Sequence, residues 1–557
     1  MLNAIVRFSL RFRGAIIALA CMLLGYGFYT LLQARYDVFP EFAPPQVVIQ
    51  TEAPGLAPEQ VEVLVTQPIE TAVNGVPGIE SLRSGSIHGL SVITVMFRSG
   101  SDIYRDRQVV AERLAGVGGR LPKGVAAPAM TPLTSSTSVA IVIGLTSEKH
   151  SLMDLRTIAD WTVKQRLLAV PGVAKVPVFG GEVKQLQLQV RPDRLIRYHL
   201  GLDDVLFAAH RATGVLGAGF IDTANQRIEL QTRGQSVTPA RIAGTVLVHR
   251  NGANVMLSDV ASVVEAPEPP IGAAAVMGKP GVILIVSAQY GANTIEVTRR
   301  VDRALDELRP TLEAQGVDLH PNLFRAANFI RTAIGNMKSS LLLGAVLVVA
   351  VLFLFLFDLR TAVISCTAIP LSLLAAITVL ERLGMSLNTM TLGGMAIAIG
   401  EVVDDAIIDV ENITKRLREN RRREHPLPLS RVVLDASIEV RSAVVYATFA
   451  VVFVFVPVLT LSGLAGRLFA PLGMAYILAI LASLLVALTV TPALCLLVLG
   501  RGDLREKEPP AVRWLKAGYE SLLRKVERHP RAVLAGVLLL TAGGLATVPF
   551  FTRSFIP

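Results

Sequence analysis

The chain has 557 residues, of which 52% are hydrophobic and only 18% charged, and its mean hydropathy is +0.52. Soluble proteins are rarely this apolar, which excludes an ordinary soluble enzyme and predicts a membrane protein. The net charge of +10 does not imply a nucleic-acid partner, and none is expected, because surplus Lys and Arg in a membrane chain usually mark cytoplasmic loops.

Residues 14–33 predict a first span, preceded by Arg7, Arg11 and Arg13. It is long for a signal-peptide core and no A-x-A site follows, so a retained helix with a cytoplasmic N-terminus is expected. A polar region then runs from Ala34 to about Lys338. Strand-like runs (VVIQT, SVITVMF, SVAIVIGL, QLQLQV, VILIVSAQY) alternate with amphipathic helices over about 57–73, 102–117, 151–169 and 294–312. That alternation predicts small βαβ units. Gly75-Val76-Pro77-Gly78-Ile79 is echoed by Val170-Pro171-Gly172-Val173, and a Gly-bearing strand end follows each (HGL, FGG), as in two copies of one α/β module. Between about Val183 and Pro269 the text becomes strand-rich with turn signals such as RNGANV, which predicts an inserted subdomain.

Six more spans are expected at about 339–357, 361–380, 387–411, 441–462, 470–498 and 531–550. Three connections fall on the cytoplasmic side. They are Asp358-Leu359-Arg360, the basic stretch from Lys415 to Arg431, and residues 501–530, which carry Arg501, Arg505 and Lys507 among others. Within the last of these, residues 511–528 read as an amphipathic interfacial helix. The large polar region falls on the other side. After the seventh span, Ser554-Phe555-Ile556-Pro557 resembles the Asp37-Val38-Phe39-Pro40 that follows the first, so the sequence reads as cut at the start of a second copy of its own plan.

The fourth span holds the chemistry. Its text GGMAIAIGEVVDDAIIDVEN puts five carboxylates, Glu401, Asp404, Asp405, Asp409 and Glu411, in an otherwise membrane-quality helix. Facing lipid at the bilayer centre, each would cost roughly 2.5–3.5 kcal/mol. Most must therefore face protein, a watery cavity or a helix end, and intramembrane acids of this kind mark proton or ion pathways. At about 100° per residue, Asp404 and Glu411 lie about 20° apart on one stripe. Asp405 and Asp409 lie on the other flank, with Glu401 between the stripes. For Glu411 the alternative is a solvated place at the cytoplasmic helix end. Cys21, Cys366 and Cys495 all sit in apolar runs with no CxxC, and the eight histidines show no i,i+4 pair. Neither a disulfide framework nor a thiolate or histidine metal site is expected.

The sequence resembles the N-terminal half of a resistance-nodulation-division efflux pump. The matching text is DVFPEFAPPQVVIQTEAPGLAPEQVEVLVTQPIETAVNGVPGIESLRSGSIHG at Asp37–Gly89, VPGV at Val170, FRAANFIRTAIGNM at Phe324–Met337 and, most specifically, MSLNTMTLGGMAIAIGEVVDDAIIDVENITKRL at Met385–Leu417. The VDxAIxxxEN form is most similar to the heavy-metal-efflux branch, the copper/silver and cobalt/zinc/cadmium exporters. The resemblance implies an α-helical transmembrane bundle of about seven spans. It also implies a large periplasmic α/β region of ferredoxin-like βαβ porter subdomains with an inserted docking subdomain. The implied boundaries are a tail and first span to residue 33, a first porter subdomain over 34–138, a second over 139–182 and 270–338, the docking insert over 183–269, spans two to six over 339–500, a cytoplasmic linker over 501–530 and the seventh span over 531–557.

The implied function is a secondary active transporter and not an enzyme: a proton antiporter without cofactors that exports heavy-metal cations from the bacterial inner membrane. It would work as a homotrimer in a tripartite pump with a periplasmic adaptor and an outer-membrane channel. Asp404 matches the aspartate of the family's fourth helix, and Glu411-Asn412 its Glu-Asn pair. Asp405, Asp409 and Glu401 are acids where relatives commonly have none, so the proton relay is expected among these five. Met390 matches a methionine of the copper/silver exporters, where a thioether suits Cu(I). The aspartate of the cobalt/zinc/cadmium type near Ala396–Ala398 is missing here. A drug exporter of the same superfamily and a non-functional half remain alternatives. An intramembrane aspartyl protease would need facing aspartates on two helices and a GxGD motif, which the sequence lacks.

Overall fold

The computed structural model describes residues 2–214, 220–229, 238–250, 252–270, 272–356, 358–499 and 510–550. Asn251, the linker residues Arg501, Arg505 and Lys507, and the final Ser554–Pro557 lie outside the described residues. The chain divides into two compact units, Ala43–Phe329 and Met1–Phe42 with Ile330–Pro557.

The first of these units holds two sheets of one plan. β1 (Gln46–Glu52), helix α1 (58–73), β2 (Ile79–Ile87), β3 (Leu90–Phe97), helix α2 (Ile103–Ala115) and β4 (Ala129–Met130) form a four-stranded sheet in the order β2-β3-β1-β4. β1 and β3 pair antiparallel with Val48 opposite Thr94. Every second residue of β3 is buried, so Ile93, Val95 and Phe97 pack with Val47 and Ile49 against Val65, Ile69 and Val110 of the helices. The plan repeats as β5 (Thr134–Ser147), helix α3 (152–168), β6 (Val173–Lys175), β7 (Val178–Gly180), β8 (Val282–Gln289), helix α4 (Thr294–Gln315) and β9 (Val317–Arg325). Its sheet runs β6-β8-β5-β9, with β7 also on β8. Both are β-α-β-β-α-β units with the same strand order. α1 and α3 each carry one wide π-type turn, Glu62–Thr66 and Ala159–Val163.

Local chemistry fixes the starts and turns. Asp102, Ser151 and Asn293 cap α2, α3 and α4 through side-chain oxygens that accept backbone N–H bonds. Gly78 and Gly172 of the two VPG turns have φ of +84° and +95°. At Gly172 a Cβ would also stand 2.7 Å from Val297 Cγ2, so only glycine fits there.

The segment between β7 and β8 differs from its strand-rich reading. Lys184–Val190 pairs antiparallel with Ala261–Pro267, so the insert leaves and returns on one ribbon. Between them, helices Pro192–Tyr198, Leu202–Thr213, Pro239–Ala243 and Leu257–Val260 accompany two further ribbons. Val205, Ile242, Leu257 and Val260 build its core. Three of these helices, of four to seven residues, are too brief to show a 3.6-residue period, and the twelve-residue Leu202–Thr213 lies among the turn signals that dominate the segment.

In the second unit, a ten-residue helix α5 (Leu2–Arg11) precedes the first apolar helix α6 (Arg13–Gln33). α5 falls in the stretch expected to be an N-terminal tail, yet Val6 and Leu10 are buried in the bundle. The other helices are α7 (Ala326–Leu356), α8 (Leu359–Arg382), α9 (Thr389–Arg421), α10 (Leu429–Leu459), α11 (Gly463–Val498), α12 (Pro510–Arg528) and α13 (Pro530–Thr547). Six of these, α6, α7, α8, α10, α11 and α13, are long and apolar enough to cross a membrane. The remaining expected span, α9, is too charged to qualify on composition. α7 starts 13 residues before its expected start at 339, and α10 starts 12 before its expected start at 441. Polar turns prolong both helices beyond their apolar runs. The chain after α6 stays with this unit: Asp37 N donates to Leu387 O, and Leu387 N to Arg35 O.

Candidate functional site

α9 is set by its start and by one close approach. Asn388 caps it, its Oδ1 accepting from the N–H groups of Met390 and Thr391 at 3.0 Å each. Thr391 Oγ1 in turn accepts from Asn388 N at 2.8 Å. One turn on, a Cβ at Gly394 would press into the Leu472 carbonyl oxygen of α11, so glycine lets the two backbones meet. α9 then packs among α8, α10 and α11.

The five carboxylates separate by burial along the two stripes. Asp404 and Glu411, and Glu401 with them, are exposed, and none has a hydrogen-bond or ion-pair partner among the described residues. Asp405 is half-buried, and its Oδ2 accepts from Ser483 Oγ of α11 at 3.3 Å. Asp409 is 1% exposed. Its Oδ2 accepts from Nη2 of Arg441, itself 2% exposed, at 2.5 Å, and the same Nη2 donates to the Ala487 carbonyl of α11 at 2.9 Å. α9 thus presents an open acidic row on one side and a buried ion pair on the other.

Glu401, Asp404 and Asp405 line an open groove of about 400 Å³ together with Glu439, Ala443, Ala447, Thr448 and Val451 of α10 and Ile480 of α11. Its walls are mostly apolar and its charged groups are all acidic. Glu439 is compensated: Arg416 Nε donates to it at 2.9 Å and Asn412 Nδ2 at 3.3 Å. Asn412 Nδ2 also donates to the Ala436 carbonyl at 2.8 Å. In the Glu-Asn pair, then, Asn412 clips α9 to α10 while Glu411 stays free. Glu411 is not at a helix end, because α9 continues ten residues further to Arg421.

Met390 is half-buried in the first turn of α9, about 16 Å along the helix from Glu401. It does not join the acidic groove. Among the described residues no group of three or more His, Cys, Asp or Glu could hold a metal ion. Several histidines make ordinary hydrogen bonds, such as His320 Nε2 with Thr146 Oγ1 at 2.8 Å and His150 Nε2 with the Gln315 carbonyl at 2.9 Å. The residue that sequence reasoning missed is Arg441. It reads as the polar edge of a span starting at 441, but lies in the middle of a helix that starts at Leu429. The available signal was charge balance, since five acids on α9 call for a buried cation on a neighbour.

The profile of the AcrB/AcrD/AcrF family matches residues 5–557. Protein HelA of Legionella pneumophila is 35% identical over the whole chain and 53% of its own length. The cobalt-zinc-cadmium resistance protein CzcA of Cupriavidus metallidurans is 31% identical, again over the whole chain and 53% of that protein. The cation efflux system protein CusA of Escherichia coli (strain K12) is 34% identical over 96% of this chain and 52% of its own. A crystal structure of a heavy metal efflux pump superposes with a TM-score of 0.81 and 27% identity, over 99% of this chain and 53% of that one. The chain spans about half the length of the curated relatives it matches. With that profile running through both units and through the acidic helix itself, the chain belongs to the AcrB/AcrD/AcrF family and is similar, over about half their length, to its heavy-metal efflux pumps.

Proposed function

We propose that this chain is part of a proton-driven exporter of heavy-metal cations, and that α9 carries its proton-coupling site. The observation that carries the reading is the open row of Glu401, Asp404 and Glu411 on a helix embedded among membrane-quality helices. Left against lipid, three ionised carboxylates would cost on the order of 10 kcal/mol. That face is therefore covered by further protein or opens on water, where an acid can take up and release protons. α9 is a seventh span on this account. The basic stretch after it, from Lys415 to Arg431, lies in the cytoplasm, and the Ala43–Phe329 unit lies in the periplasm.

Proton uptake at Asp404 removes a negative charge from the groove and lowers the repulsion among Glu401, Asp404 and Asp405. The helices then settle in a second packing, and release of the proton restores the first. The two β-α-β-β-α-β units serve as porter subdomains, whose movement opens and closes the metal path, and the insert over 183–269 docks a neighbouring protomer. The working assembly is an inner-membrane homotrimer joined to a periplasmic adaptor and an outer-membrane channel. The cargo is assigned from the similarity to heavy-metal efflux pumps, and it passes through the porter region.

The test is growth of an exporter-deficient strain carrying the protein in its native context, wild type or Asp404→Asn, on cobalt, zinc, cadmium, copper and silver salts and on organic toxicants. The expected result is metal resistance that Asp404→Asn abolishes at equal membrane abundance. Undiminished metal resistance in Asp404→Asn refutes the proton site, and resistance confined to organic compounds refutes the cargo.

A further inference from the structure

We propose that the Asp409–Arg441 centre holds internal water and forms a buried hydrated step for protons, continuing from the acidic groove into the interior of the helix bundle. The proposal deepens the proton-coupled reading and rests on it, but its first test does not.

The centre is incompletely satisfied by protein. Asp409 Oδ1, Arg441 Nε and Arg441 Nη1 are buried and have no hydrogen-bond partner among the described residues. The hydroxyls of Ser437 and Thr491 share that condition. Ser437 stands one turn before Arg441 on α10, and Thr491 one turn after Ala487, whose carbonyl Arg441 holds. Donors and acceptors are both represented. Buried polar atoms without partners are rare and costly, more so on charged groups, and bound water is the usual remedy. Another protein segment cannot supply the partners, because these atoms are enclosed by the chain's own helices. Water is the remaining partner, and a site that offers it two to four polar neighbours is the kind that retains one.

The centre also lies on a line. Asp405 borders the groove and meets Ser483 of α11. Asp409 follows Asp405 by one turn, and Ala487 follows Ser483 by one turn. The polar groups of α9 and α11 thus descend together, from the groove to the buried pair and on towards Thr491. Asp409 and the water carry the proton. The guanidinium cannot release one at ordinary pH, so Arg441 anchors the water and positions the carboxylate.

Two measurements test this. The first is an experimental map of the protein in lipid nanodiscs at a resolution that shows ordered water. The expected density is water within hydrogen-bond distance of Asp409 Oδ1 and of Arg441 Nε or Nη1. A map in which only protein atoms surround these groups overturns the proposal. The second is metal-driven proton flux in vesicles, comparing wild type, Asp404→Asn and the double variant Asp409→Leu/Arg441→Met, which replaces the polar centre by side chains of similar bulk. The expected double variant folds and loses at least tenfold in proton flux. If Asp404→Asn is silent and the double variant runs as wild type, the hydrated step is wrong and the proton-coupled reading stands. If the double variant is silent while Asp404→Asn runs, the step stands and the role given to Asp404 fails. If the double variant does not fold, the map decides.

Discussion

Removing Arg441 alone should be among the most damaging single changes in the helix bundle. Arg441→Met leaves Asp409, 1% exposed, without the Nη2 donor at 2.5 Å that is its hydrogen-bond partner among the described residues. Breaking one side of a buried ion pair costs about 3–5 kcal/mol, because an uncompensated charge remains inside. Taking both away behaves differently. Replacing a whole buried pair by apolar groups of similar volume is commonly neutral, or stabilising by about 1–4 kcal/mol. The double variant Asp409→Leu/Arg441→Met should therefore stand at least about 3 kcal/mol above Arg441→Met, roughly a hundredfold in the unfolding equilibrium. The assay is reversible unfolding in mixed micelles of wild type, both single variants and the double variant, read as a double-mutant cycle. An Arg441→Met variant within about 1 kcal/mol of wild type would refute the reasoning, since Asp409 would then not depend on its partner.

Three other changes probe how the site is built. Gly394→Val should push α9 off α11, where a Cβ meets the Leu472 carbonyl, costing about 1–3 kcal/mol by overpacking and loosening the bundle in the same micelle titration. Gly172→Ala should destabilise the Ala43–Phe329 unit by about 1–2 kcal/mol from its left-handed backbone alone, with the Val297 clash added, and earlier proteolysis within that unit would report it. Asp37 carries a carboxyl whose pKa burial raises above the ordinary value, against the opposing hydrogen bond from Val38 N. A raised folded pKa means that stability is fully present below the unfolded pKa, near 4, and is lost as pH rises through the folded value. Asp37→Asn should accordingly be more stable than wild type at neutral pH, with the advantage vanishing in acid, as thermal unfolding at two pH values would show.

The strands were legible because burial on one face writes itself as alternation, as in SVITVMF, where Ile93, Val95 and Phe97 point inward. The two-module plan was legible through the VPG turns, since Gly78 and Gly172 answer the same backbone demand. The acidic helix was legible because carboxylates are costly in an apolar run, and the two stripes drawn from helical spacing became one exposed and one buried side. Other features left less trace. A π-type turn shifts hydrogen bonds without changing composition, so Glu62–Thr66 and Ala159–Val163 read as plain helix. α5 is only ten residues long and its buried side, Val6, Ser9 and Leu10, includes a serine, so it stood in the shadow of the longer apolar run beginning at residue 14. Arg441 left no trace in hydropathy, which places a charged residue at a span boundary even when its helix begins three turns earlier.

Proton-driven export requires that Asp404 couple protons to metal movement. The most direct measurement loads vesicles carrying the protein, in the assembly in which it works, with a pH-sensitive dye, imposes a metal-ion gradient and follows the internal pH. The expected result is a metal-dependent proton flux in wild type and none above empty vesicles in Asp404→Asn. A flux in Asp404→Asn equal to wild type would contradict it.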